Sequence, residues 1–214
     1  MNWNAIPWGQ NAVLAGVGIL LSFFISGYVV RIYRGTKPAP DFTGWTDLFI
    51  DGIKLAIVWI LWILPLAIVL VAGIAIVVVL KFSAMAAASN IALLILLLLL
   101  FLVVFNLLII VALLGILGAV RFARTGSIRE GIRFSQILTT IRTMGWLSYI
   151  LSLIIFTVAE FIYIVITGIL SLIPYIGWIL GLIITPVFLI FSARYFSLIY
   201  DQGKPHQMPS TSVS

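Results

Sequence analysis

The sequence predicts an all-α integral membrane protein: about five transmembrane helices, with two amphipathic interfacial helices on the cytoplasmic face. Three observations lead there. Of 214 residues, 64% are hydrophobic and only 8% charged, with a mean hydropathy of +1.29, whereas soluble domains carry about a quarter charged residues. A soluble fold of this length has too little interior to hide that much apolar surface, so lipid is the required solvent. Five apolar runs reach or exceed the roughly 18 residues that mark a spanning helix. The few charges gather where those runs end.

Composition also excludes chemistry. There is no cysteine and a single histidine, His206. Disulfides, thiolate metal sites and cysteine nucleophiles are ruled out, and one tail histidine builds no His-based metal site. No cofactor and no metal is implied. A net charge of +6 would point to nucleic acid in a soluble chain. Here it reads as basic loops facing an anionic leaflet, with no nucleic-acid partner. G-x-S-x-G, H-E-x-x-H, P-loop and dinucleotide fingerprints are absent from the sequence, so no enzymatic activity is expected. The opening MNWNAIPWGQ has no Lys or Arg. It lacks the basic region of a cleaved signal peptide, and the first apolar helix is expected to remain in the mature chain.

The elements follow in order, within a single transmembrane domain over residues 1–200. The first span covers about 13–30, with Trp3 and Trp8 at one end and Tyr28 and Tyr33 at the other as interface anchors. Gly35 to Pro40 is a non-helical turn, since each Pro restricts its predecessor. From Asp41 to Asp51, Phe42, Trp45, Leu48 and Phe49 recur at spacings of three and four, which predicts an amphipathic helix lying at the interface. The second span, about 55–80, contains Pro65, a helix-kinking residue that membrane bundles tolerate. A small-residue loop (81–90) leads to the third span, about 91–120, which is long enough to tilt or protrude and carries Asn106 near its middle.

The next stretch, 121–142, is a second amphipathic segment. Ser127 and Glu130 have capping-box spacing, so a helix is expected to start at Ser127. Ile128, Ile132, Leu138 and Ile141 are assigned to its apolar face, and Arg129, Arg133 and Gln136 to its polar one. The fourth span runs over about 146–172 with Glu160 inside it, and the fifth over about 178–200 with Pro186 inside. The tail, 201–214, is polar and expected to be disordered and cytoplasmic.

Charge gives an orientation. Eleven of the twelve Lys and Arg residues border the first connection, the third connection or the C-terminal end, and only Lys81 falls on the opposite side. The positive-inside rule then places the N-terminus outside and the C-terminus in the cytoplasm of a multi-pass plasma-membrane protein. Five crossings separate the termini as that bias demands.

The two basic connections echo each other. Arg31-Ile32-Tyr33-Arg34 is followed by Asp51-Gly52-Ile53-Lys54, and Arg121-Phe122-Ala123-Arg124 by Glu130-Gly131-Ile132-Arg133. Both follow an outside-to-inside span, so the echo is a parallel repeat if it is a duplication. The stretch from Gly27-Tyr28 through the Arg31/Arg34 exit, Pro40-Asp41-Phe42, Trp45, Leu48-Phe49, Asp51-Gly52, Lys54 and Pro65 is the most specific in the chain. With Arg121 to Arg124 and the later Ala193-Arg194-Tyr195, it resembles the archaeal and bacterial membrane family catalogued as domain of unknown function 4013. The resemblance implies a multi-pass membrane protein, assigns no activity and supplies no catalytic residues.

Candidate chemistry is sparse. Glu160, with Asn106, forms a candidate intramembrane polar site, because charge inside a span is expensive and marks function by default. It reads either as a proton or cation site or as a protonated carboxyl held within the bundle. Asp41, Asp47 and Asp51 read as a solvated acidic face, Asp51 pairing with a base such as Lys54, or as carboxylates able to share an ion. Arg121, Arg124, Arg129, Arg133 and Arg142 are candidate contacts for anionic lipid headgroups or a membrane partner, and serve equally as topology determinants. The expected function is a non-enzymatic organiser of lipid or of another membrane protein. The alternative is a small transporter or channel using Glu160 and Asn106, and a homo-oligomer fits either.

Overall fold

Uninterrupted runs of Leu, Ile, Val and Ala satisfy every backbone group within a helix, the one economical arrangement in lipid. A computed structural model describes residues 8–36, 40–82, 90–173 and 175–203. The helices are α1 (Trp8–Tyr33), α2 (Trp45–Phe82), α3 (Asn90–Thr125), α4 (Ile128–Gly131), α5 (Phe134–Met144), α6 (Trp146–Ser171) and α7 (Ile176–Gln202). Five of them, α1, α2, α3, α6 and α7, are long and apolar enough to cross a membrane. No strand occurs among the described residues. Helix continues through Pro65 in α2 and Pro186 in α7. The expectations for Trp3, for most of the 81–90 loop and for the tail beyond Gly203 lie outside the described residues.

Two local readings change. The amphipathic run before the second span is no separate helix: from Trp45 onward it is the start of α2. Part of its apolar face is taken by α1, while Phe42 and Trp45 stay largely exposed. Phe49 packs against Phe23 and Phe24, and Phe42 stacks on Tyr28 at 4.3 Å. Leu48 is fully buried.

The second amphipathic segment splits into α4 and α5, with a break at Ile132 and Arg133. Helical periodicity does not carry across that break. The buried face of α5 is therefore Ile137 and Ile141, while Ile132 is left exposed. Ser127 does occupy the N-cap position of α4, but its side chain makes no capping bond. Glu130 turns instead to Arg121 and Arg133.

Burial is concentrated at one end. Val30, Leu48, Val58, Leu117, Val120, Ile137 and Tyr149 form its densest part. The opposite halves of α2, α3, α6 and α7 present Leu, Ile, Val and Phe to the surroundings, as lipid-facing helices do. The helices α1, α2 and α3 pack in series, α7 reaches α1 and α3, and α6 leans on α7 and α5. The Tyr149 hydroxyl ties α6 to α3 by donating to Leu113 O.

Glycine sets the closest approaches. A Cβ on Gly27 would fall 1.8 Å from Leu48 O, and one on Gly52 1.9 Å from Phe23 O. In the second half a Cβ on Gly118 would lie 2.4 Å from Gly131 O, the same carbonyl that accepts the Trp62 indole N–H at 3.1 Å. Each returning acid-Gly segment thus packs against a glycine just before an R-x-x-R exit. The sequence echo is also a spatial one.

Candidate functional site

The basic end is where chain reversals bring charge together. Where α1 leaves the apolar layer, Arg34 pairs with Asp51 of α2 at 2.7 Å and its Nε donates to Ala123 O of α3. Asp51 pairs with Arg34, across the helix crossing, instead of with Lys54 along its own helix. Arg31 donates to Asp41 O and Gly44 O, fastening the turn before α2.

In the second half Arg121 pairs with Glu130 at 2.5 Å, and Arg133 reaches the other oxygen of that carboxylate at 2.9 Å. The hydrogen bond from Arg121, then that from Arg133, holds the Glu130 carboxyl below the usual carboxylate range. Arg124 lies between α3 and α7, donating to the buried Ser197 hydroxyl at 2.9 Å and to Asp201 at 2.8 Å. Arg194 donates to Thr36 O. These bonds tie the first connection, the third connection and the end of α7 into one polar assembly.

The five arginines singled out in sequence therefore divide. Arg121, Arg124 and Arg133 are held by carboxylates. Arg129 and Arg142 are exposed, and no bond reaches either among the described residues. Both keep their positive charge without a carboxylate partner among the described residues.

Between α5 and the ends of α3 and α7 lies a cleft of about 340 Å³. Arg121, Gln136, Thr139, Thr140, Thr143 and Tyr200 line it, with Gly203 beside Thr140. The Thr-Thr-x-x-Thr spacing that puts three hydroxyls on this side of α5 is visible in the sequence. Without the break before α5, its orientation is not.

The other candidates are not assembled. Asn106 donates to its own Leu102 O at 2.8 Å, one turn back on α3. Glu160 lies exposed on α6. No bond joins the two among the described residues. No group of three or more His, Cys, Asp or Glu able to hold a metal occurs among the described residues either, so Asp41 and Asp47 do not gather around Asp51.

A family model described as a protein of unknown function (DUF4013) matches residues 12–175. The chain belongs to that family. No curated protein and no solved structure matches it significantly. The matched region holds α1 beyond its first turn, α2 to α6 and both acid-Gly reversals, whereas α7, with Arg194, Ser197, Tyr200 and Asp201, lies beyond it. Within DUF4013 this chain thus carries both copies of the echo inside the family region.

Proposed function

We propose that this DUF4013 protein is a non-enzymatic, multi-pass plasma-membrane protein. It organises anionic lipid through its basic end, with the N-terminus outside and that end in the cytoplasm. One observation carries the reading. The polar assembly consumes Arg34, Arg121, Arg124 and Arg133 internally and still leaves Arg129 and Arg142 exposed. Each free Lys or Arg near an anionic surface contributes about 1 kcal/mol of attraction.

The test is lipid enrichment around the full chain in phosphatidylcholine nanodiscs containing a minor anionic fraction, read by native mass spectrometry of the released protein. Wild type is expected to retain anionic lipid over phosphatidylcholine. Arg129→Gln with Arg142→Gln should reduce that enrichment by about fivefold per charge, the equivalent of that attraction. Equal retention of all lipids by wild type would overturn the reading.

A second reading, a small transporter or channel, is supported by Glu160, the one acid deep within an apolar span. It predicts a proton or cation flux abolished by Glu160→Gln, and proteoliposomes without such a flux would remove it.

A further inference from the structure

We infer that the cleft between α5 and the ends of α3 and α7 is a specific site for a phosphoglycerol headgroup, an anionic phosphodiester bearing free hydroxyls. The inference deepens the lipid-organising reading above and rests on it.

The lining divides into donors and acceptors. Arg121 gives Nε and Nη2 to Glu130 and also meets the Tyr200 hydroxyl of the same lining. The positive guanidinium, that hydroxyl and the Gln136 amide are the groups suited to phosphate oxygens. The three threonines are committed the other way. Thr139 donates to Ser135 O, Thr140 to Gln136 O and Thr143 to Thr139 O. Each hydroxyl proton is thereby directed along the helix, and the oxygen offers lone pairs to whatever enters.

A ligand matching this wall needs negative oxygens at one end and hydroxyl donors at the other. Phosphoglycerol has both. Phosphocholine has no donor. Phosphoethanolamine has donors but also a positive charge, which Arg121 in the lining disfavours. Phosphoserine brings an ammonium donor but sets a carboxylate beside it, which the threonine oxygens repel.

Location favours a lipid over a soluble ester. The cleft opens where apolar α3 and α7 end and polar α5 lies alongside, the level at which headgroups sit. Ile137 and Ile141 anchor α5 to the core, so the threonine wall is held in place by packing. At Gly203 the backbone of α7's end meets Thr140 closely, a Cβ there falling 2.7 Å from Thr140 Cγ2.

The experiment uses the full chain in phosphatidylcholine nanodiscs doped with equal minor fractions of phosphatidylglycerol and phosphatidylserine. Retained lipids are counted by native mass spectrometry, with and without soluble glycerol 3-phosphate. Wild type should retain phosphatidylglycerol over phosphatidylserine. Thr139→Val with Thr143→Val, which keeps the branched shape and removes two acceptors, should cut that preference by about fivefold to tenfold. It should leave the general anionic preference intact. Arg129→Gln with Arg142→Gln should do the reverse.

Equal retention of the two anionic lipids, unchanged by the valines, would overturn the headgroup site while leaving the organising reading standing. No anionic preference at all would overturn both. Displacement of bound phosphatidylglycerol by glycerol 3-phosphate would support the same chemistry at the same cleft. Binding of the soluble ester without any lipid enrichment would reassign the site to a free phosphate ester.

Discussion

Glu130 receives two guanidinium groups, and its position shows how one carboxylate can hold a chain reversal. Arg121 from α3 and Arg133 from the break before α5 meet on its two oxygens. Because these bonds depress its native pKa, their contribution is complete above the unfolded value of about 4.3 and is lost as pH falls through the lower native one. Protection of the α4 amides against hydrogen exchange, corrected for intrinsic rates, should therefore hold at neutral pH and collapse in acid. Glu130→Gln should show reduced protection at neutral pH and little further acid dependence. Unchanged protection in that variant would mean that packing alone holds α4.

The Ser127/Glu130 spacing was legible as a helix start, and α4 does begin there. What could not be read was that Arg121 and Arg133 would win the carboxylate, since that depends on how closely Gly118 lets α3 approach Gly131. Asp51 gives the same lesson. Sequence proximity favours Lys54, but a partner across a glycine crossing lies nearer than one along the helix.

Among the elements, the five long apolar helices were the most legible, because length and apolar composition alone mark them. The amphipathic segments were the least. Phe42, Trp45, Leu48 and Phe49 show a genuine helical stripe, but a stripe does not say whether lipid or another helix covers it. Here α1 covers Leu48 and Phe49, with Phe23 and Phe24 against Phe49, and touches Trp45 and Phe42 while leaving them largely exposed. In the second segment the break at Ile132 exposes that residue and brings in Ile137, whereas Ile141 is buried and Ile128 and Leu138 pack against the core as the periodicity predicts.

The glycine crossings explain why α1 and α2 dock so closely, and they can be tested by adding one methyl group. Gly52→Ala forces its Cβ against the Phe23 carbonyl, a backbone atom with nowhere to go. Overpacking of this kind costs about 1–3 kcal/mol, and resistance to unfolding in mixed detergent titrations should drop accordingly. Gly16 meets nothing within 4 Å, so Gly16→Ala should be neutral or slightly stabilising through helix propensity. Equal behaviour of the two variants would show that α1 and α2 are not in contact at Gly52.

At the scale of the molecule, the polar assembly makes a topological commitment that can be separated from orientation. Arg34 with Asp51, Arg124 with Asp201 and Arg194 with Thr36 O bind two connections and the end of α7 to each other. Whatever side of the membrane that end faces, all three must share it. The cysteine-free chain allows each point to be reported alone. Thr43→Cys and Thr125→Cys mark the two connections, and Lys81→Cys marks the opposite end of α2. In intact cells, a membrane-impermeant thiol reagent should modify position 81 and spare 43 and 125, which should react only after permeabilisation. Modification of 43 and 125 with protection of 81 would invert the orientation and leave the bundle intact. It would also undermine the case for an inner-leaflet lipid at Arg129 and Arg142. Positions 43 and 125 reporting opposite sides is the more damaging outcome. No arrangement in which Arg34 reaches both Asp51 and Ala123 O survives it, and the cleft built on that end would fall with it.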